Sequence, residues 1–298
     1  MDDIYFILVN FTYHSCFPVS GEISVRKLFS ALIIALIVGA IGTSMVMAKE
    51  TVRVSGSTTV LPLAEAGAEA FNGEQSDYQA LVTGGGTGVG IKNVAEGNSE
   101  IGMASREVTP DEKSNFGDKF KENMVGYDGI VIAVSKQIYD AGVTSLTKDQ
   151  VKKIYSGETT NWKDLGGPDS EILVVAREQG SGTRDTFNED IMGDKKAETP
   201  GVNTVAGSNA EIRTALTGSD KAIGYLGFSY AEDGAVGAIT LDGVKATPET
   251  IKDGSYELAR KLYFYTFGDA KPGAQAFIDF MMGAAGQKVA VEYGFVPL

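Results

Sequence analysis

Three times in this chain a short apolar strand runs into a loop of glycine and hydroxyl residues, and the loop runs into a helix. The clearest case is Ile172-Leu173-Val174-Val175-Ala176, then Arg177-Glu178-Gln179-Gly180-Ser181-Gly182-Thr183, then a helix predicted over 183–192. A second unit is Thr51 to Val54, Ser55-Gly56-Ser57-Thr58-Thr59, and a helix from about Pro62 to Phe71. A third is Ala80 to Val82, Thr83-Gly84-Gly85-Gly86-Thr87-Gly88, and a short helix through Ile91 and Val94. β-Branched apolar runs bounded by glycine read as buried strands. Repeated strand–loop–helix units restrict the chain to α/β architectures, whose loops gather at the carboxyl ends of the strands.

These loops share one chemistry. Glycine lets the backbone turn and approach a ligand closely. Ser and Thr at a helix start cap free N–H groups, and the helix dipole there favours negative charge. Arg177 adds a planar fork that matches an oxyanion bidentately. One such loop is an ordinary capped turn; three of them with an arginine describe a cage for a small oxyanion. A nucleotide fits less well. Gly85 to Gly90 has the P-loop glycine spacing, but Ile91 and Lys92 stand where Lys and Ser/Thr are needed. Gly86-x-Gly88 is followed by Ile91, not by the third glycine of a dinucleotide fingerprint.

The net charge of −13 argues against nucleic acid or an anionic membrane surface as partner. It leaves a small anion open, because such a site is governed by local donors. With 43% hydrophobic and 22% charged residues, the 298-residue chain has the composition of a globular protein of about two domains.

The first 48 residues read as a targeting segment. Arg26 and Lys27 precede an apolar run, Leu28 to Ile41, that is short for a membrane span. Val46-Met47-Ala48 places cleavage after Ala48, with an uncleaved anchor as the alternative. Residues 1–24 precede the basic region and suit a mis-assigned start, with Val25 as the initiator. Cleavage removes Cys16 and His14, the only cysteine and histidine. The mature chain then has no disulfide, no thiolate or imidazole metal site, and no Ser-His-Asp or Cys-His machinery. No cofactor is expected, and a binding function gains weight over an enzymatic one.

Further strands are expected at Ile101–Ala104, Gly129–Val134, Ala222–Leu226 and Leu262–Phe267. Helices are expected at 148–155, 208–216, from Pro248, and from Pro272 to about Glu292. Trp162 reads as the residue that packs a turn-rich loop onto its domain.

Several stretches carry a family resemblance. They are Ser55-Gly56-Ser57-Thr58-Thr59-Val60-Leu61-Pro62, Gly84 to Gly88, Ser105-Arg106, and Ile154-Tyr155-Ser156-Gly157 with Thr160-Asn161-Trp162-Lys163-Asp164-Leu165-Gly166-Gly167. Arg177-x3-Ser181-Gly182-Thr183-Arg184 and the C-terminal Tyr293-Gly294-Phe295-Val296-Pro297-Leu298 complete the set. In these the chain resembles the PstS family, the substrate-binding proteins of phosphate ABC transporters, along almost its whole length after residue 48. The resemblance implies a two-lobed periplasmic-binding-protein fold of type II, two α/β lobes joined by a two-crossing hinge. Lobe one would be 49–127 plus 231–298, and lobe two 128–230. It implies a monomeric extracytoplasmic protein that captures inorganic phosphate and delivers it to membrane permease subunits.

It also implies phosphate contacts at Thr58, Thr59, Thr87, Arg177, Ser181, Gly182 and Thr183, with Ser105 and Arg106 at the remaining matched position. Some family members carry there an Asp that accepts the phosphate proton, which Arg106 cannot do. Asp128, at the lobe crossing, is then the candidate acceptor. Glu178 and Asp185 flank the anion loop and are expected to face water. Another tetrahedral oxyanion (sulfate, molybdate or tungstate) is the alternative ligand, and a phosphatase or phosphotransferase the alternative class.

Overall fold

The computed structural model describes residues 49–298. The expected targeting segment, with Cys16 and His14, lies outside the described residues. Strand β1 (Glu50–Gly56) leads into α1 (Leu61–Glu74), β2 (Tyr78–Thr83) into α2 (Thr87–Ala95), and β3 (Ile101–Ala104) into α3 (Pro110–Phe116). Strand β4 (Phe120–Val134) follows, then α4 (Lys148–Tyr155), β5 (Leu173–Arg177) and α5 (Gly182–Phe187), which widens into a π-helical turn at Asn188–Met192. Next come β6 (Thr204–Ala206), α6 (Asn209–Thr217), β7 (Ala222–Gly227) and α7 (Pro248–Lys252). Strand β8 (Ala259–Phe267) and helices α8 (Pro272–Met282) and α9 (Ala284–Glu292) complete the chain. The single C-terminal helix expected from Pro272 is two, because Gly283 between them is extended (φ −81°, ψ 176°).

The strands form one hydrogen-bonded path in the order β2-β1-β3-β8-β4-β7-β5-β6. β1 runs parallel to β2 and β3, and β5 runs parallel to β6 and β7. Each parallel group therefore delivers its loops to one edge. The two groups are joined by β4 and β8, which are antiparallel to each other and to their outer neighbours. The 15-residue β4 belongs to both: residues up to Gly129 pair with β8, and Ile130–Val134 pair with β7.

The apolar side chains separate accordingly, into two large cores and a small third cluster of Ile91, Val94, Ala104, Val108, Tyr263 and Tyr265. One core gathers Val52, Val54, Leu63, Ile101, Leu262 and Phe277. The other gathers Ile130–Val134, Tyr155, Trp162, Phe187 and Tyr225, and extends through Val236, Ile239, Leu241, Ile251, Tyr256 and Leu258. Trp162 is fully buried and its Nε1 donates to the Lys221 carbonyl at 2.8 Å, so it does pin its loop.

Close packing fixes the anion-loop helices. A Cβ at Gly90 would lie 2.7 Å from the Met103 and Ser55 carbonyl oxygens, so α2 rests on β1 and β3 only because position 90 has no side chain. Under the end of β5, Phe187 stacks on Tyr225 (centroids 4.0 Å apart, planes 10° apart). The Tyr225 hydroxyl accepts the Arg177 backbone N–H at 3.0 Å. Buried aromatic pairs of this kind stiffen the scaffold that holds the loop.

Candidate oxyanion-binding site

On the first-core side, Ser57–Thr59 leave β1 and wind into α1. Ser57 Oγ accepts the Thr59 N–H (3.2 Å), and both Thr58 and Thr59 are buried. The Gly86 N–H donates to the Gly56 carbonyl (2.9 Å), which ties the second loop to the first. Gly86 adopts φ +90°, a region open to glycine, and turns the chain so that Thr87 starts α2. Thr87 Oγ1 accepts the Ser105 N–H (3.2 Å) and lies 3.3 Å from Ser105 Oγ. Thr58, Thr59, Thr87 and Ser105 thus line one wall, all buried.

The opposite wall comes from the second-core side. Arg177, 1% exposed, ends β5 with its Nε and Nη2 on the two Glu178 carboxylate oxygens (3.1 and 2.9 Å). Ser181 caps α5 by accepting the Arg184 N–H (3.2 Å). Thr183 Oγ1 meets Thr59 Oγ1 across the walls at 2.9 Å. Asn209 Nδ2 donates to Thr58 Oγ1 (3.1 Å) and Thr59 Oγ1 (3.0 Å), while its Oδ1 accepts the Gly227 N–H (3.0 Å). The Gly88 N–H donates to the Gly180 carbonyl (2.9 Å), and the Tyr230 hydroxyl to the Thr58 carbonyl (2.8 Å). Gly182 is where the walls come closest: a Cβ there would sit 2.5 Å from Thr87 Oγ1 and 2.7 Å from Ser105 Oγ.

Between the walls, on the two connecting strands, lies a buried ion pair. Register places Arg260 of β8 opposite Asp128 of β4. Arg260 Nε (3.0 Å) and Nη2 (2.8 Å) converge on Asp128 Oδ2, and the Phe228 N–H donates to Oδ1 (3.0 Å). The same guanidinium reaches Thr59 Oγ1 (Nη2, 3.0 Å) and Ser105 Oγ (Nη1, 3.3 Å). Burial pushes the Asp128 carboxyl above its usual range, against the pull of Arg260. Burial also lowers Arg260, against the pull of Asp128.

These partners set the direction of the hydroxyls. Thr59 Oγ1 accepts from Asn209 and Arg260, so its own proton is the one donated to Thr183 Oγ1. Two guanidinium groups, polarised hydroxyls and the first turns of α1, α2 and α5 are donors, and such a donor-rich cluster suits a small oxyanion.

Of the residues marked in the sequence, Thr58, Thr59, Thr87, Ser105, Arg177, Ser181, Gly182 and Thr183 come together. Arg106 does not. Its Nε donates to Asp185 Oδ2 (2.7 Å), and its Nη1 and Nη2 to the Glu112 carboxylate (2.8 and 2.9 Å). Asp128 is mid-strand, not in a loop, and pairs with Arg260. Glu178 and Asp185, expected to face water, pair with Arg177 and Arg106. Sequence reasoning missed Arg260, Tyr230 and Asn209. A polar residue that starts a helix just after a strand was the available signal for Asn209; Arg260 had none. Among the described residues no group of three or more His, Cys, Asp or Glu is placed to hold a metal ion.

Fold and site together define a two-lobed binding protein with an oxyanion cage between the two cores, and comparison with known proteins agrees. Residues 46–285 match the model of a family described as a PBP superfamily domain. The chain is 34% identical over 253 residues to the phosphate-binding protein PstS of Bacillus subtilis, covering 84% of this chain and 82% of the relative. It is 34% identical over 265 residues to PstS of Staphylococcus saprophyticus, covering 83% and 80%.

Among solved structures, a candidate phosphate ABC transporter substrate-binding protein from Clostridium perfringens, with bound phosphate, aligns with a TM-score of 0.77 and 39% identity. That alignment covers 84% of this chain and all (100%) of that one. An ABC-type phosphate transport receptor from Vibrio cholerae aligns with a TM-score of 0.67 and 31% identity, covering 83% and 100%. The chain belongs to the PstS family of phosphate ABC transporter substrate-binding proteins.

Proposed function

We infer that the chain captures inorganic phosphate between its two lobes and delivers it to the permease of an ABC transporter for phosphate uptake. The observation that carries this reading is the cage itself. Arg177, Arg260 and the hydroxyls of Thr58, Thr59, Thr87, Ser105, Ser181 and Thr183 converge from both cores on one buried place. The relatives that resemble the chain are named for phosphate binding, and one of them holds phosphate in its structure.

The lobes follow the cores. Because residues 236–258 pack with the second core, the second crossing falls near Ala259-Arg260 instead of near 230. The first stays near Asp128, so the Asp128–Arg260 pair sits on both hinge strands. Asp128 serves as the acceptor for the proton of HPO₄²⁻ through Oδ1, since Oδ2 already accepts both Arg260 N–H bonds. Sulfate has no proton to offer such an acceptor. The protein works outside the cytoplasm, as a monomer, without catalysis. Among the described residues no helix is long and apolar enough to cross a membrane.

Calorimetric titration tests the reading. Phosphate should saturate one site per chain, and a hundredfold excess of sulfate should leave that isotherm almost unmoved. Equal competition by sulfate would put the chain among general oxyanion binders, and the absence of phosphate binding would remove the assignment.

A further inference from the structure

Arg106 stands beside the cage but spends its whole guanidinium on protein. It follows β3, on the first-core side. Glu112, on the same side, takes Nη1 and Nη2, and the Glu107 carbonyl also accepts from Nη1 (2.9 Å). Nε crosses to Asp185 at 2.7 Å. Asp185 lies on α5, the helix whose first turn carries Ser181, Gly182 and Thr183. The Arg106 side chain is 9% exposed and that of Asp185 21%, so the contact is largely shielded from water.

Glu112 is itself fixed. It closes a capping box with Thr109, accepting the Thr109 N–H (2.8 Å) while Thr109 Oγ1 caps its own N–H (3.2 Å). Arg106 is therefore held in place by its own lobe and offers one remaining donor to the other. Beyond it, Lys196 reaches Asp111 of α3 across the same boundary (3.2 Å), but both side chains there are well exposed. Exposed pairs of that kind contribute little. The Arg106–Asp185 bond is the shielded one.

The geometry points to Arg106 as an affinity-setting latch: pre-oriented by Glu112, it bonds Asp185 only when the lobes are shut, and so slows phosphate release without touching phosphate. The inference rests on the phosphate reading above. Its physical content is that an interaction present in the closed form and absent from the open one stabilises the complex by the difference. Because such a bond forms after the ligand has entered, its loss shows in the dissociation rate more than in the association rate.

The test is a double-mutant cycle on the full mature chain, with phosphate as the probe. Binding and release are followed by stopped flow for the wild type, Arg106→Gln, Asp185→Asn and the double variant. Each single variant should release phosphate about five- to tenfold faster, with the association rate within about twofold, as expected for a largely buried charged contact. The double variant should be no worse than the singles, because both remove the same bond. Multiplicative effects in the double variant, or a loss confined to association, would overturn the latch.

Arg106→Lys keeps the charge but cannot span Glu112 and Asp185 together, so it should recover only part of the wild-type rate; full recovery would show that charge alone suffices. Thermal melts of the ligand-free variants separate misfolding from unlatching, since Asp185→Asn alters nothing within the Arg106–Glu112 contact. If the wild type fails to bind phosphate, the functional reading falls; if it binds and the cycle shows no coupling, only the latch falls.

Discussion

The two arginines inside the cage and the one on its rim carry the same group, each forked by a carboxylate, yet they serve different ends. Arg177 gives Nε and Nη2 to Glu178, and Arg260 gives Nε and Nη2 to Asp128. Arg260 also turns Nη1 to Ser105 and Nη2 to Thr59, while Arg177 turns Nη2 to the Gly207 carbonyl (3.4 Å). Arg106 has Nε, Nη1 and Nη2 all engaged, on carboxylates of both lobes. In the proposed site, the donors that the carboxylates leave free decide whether a buried arginine can reach a ligand. The interior pairs also differ from one another. Glu178 is sequence-adjacent and partly open to solvent, whereas Asp128 is 132 residues from its partner and fully enclosed.

That second difference predicts the largest effect. Arg260→Ala leaves a desolvated Asp128 without its partner, and breaking a buried pair this way costs about 3–5 kcal/mol of fold stability. It also removes the donors to Thr59 and Ser105. Denaturant unfolding should show the stability loss, and phosphate titration a loss of binding beyond it. A variant as stable as the wild type would mean that the hinge pair does not hold the strands.

Arg177→Ala should separate the two interior roles. Glu178 can turn to water, so the melting temperature of the ligand-free protein should move little. Phosphate affinity should fall about 30-fold or more, the effect of truncating a buried charged contact worth roughly 2–5 kcal/mol. A large stability loss with unchanged affinity would make Arg177 a brace like Arg260.

The rim predicts the smallest effect, and it depends on pH. Burial alone would raise the Glu112 carboxyl, but hydrogen bonding to Arg106 and its charge bring it below its usual 4.5. A carboxyl depressed in the folded state adds stability above its unfolded pKa and loses it as pH falls through the folded one. In thermal melts, the gap between wild type and Glu112→Gln should be about 1 kcal/mol or less near neutrality, as for a partly exposed pair, and close as the medium is acidified below 4.5. A gap that widens on acidification would contradict the assignment.

The same contrast explains what was legible in the sequence. Local patterns carried far. The strand–loop–helix units, the Arg177 motif and the hydroxyls at helix starts are short-range features, and they appear where the periodicity put them. Arg260 was illegible because its strand seemed to begin at Leu262 and its partner is set by register between β4 and β8. Asp128 read as standing just before a strand, Gly129–Val134, because Gly126 and Gly129 hid the continuity of a 15-residue strand. The packing of residues 236–258 on the second core was hidden too, since short elements there give no sign of which core receives them. Arg106 was assigned to the ligand because it stands at a position matched to the family; only the fold shows that Asp185 lies within its reach.

The central claim is that phosphate sits between Arg177, Arg260 and the hydroxyls of both lobes, and crystals grown with arsenate test it directly. Arsenate is tetrahedral like phosphate, and its arsenic scatters anomalously. The account predicts one strong anomalous peak per chain, enclosed by Thr58, Thr87, Ser105, Arg177, Ser181 and Thr183, with Arg106 still on Asp185. A peak outside this cage, or one in direct contact with Arg106, would contradict it.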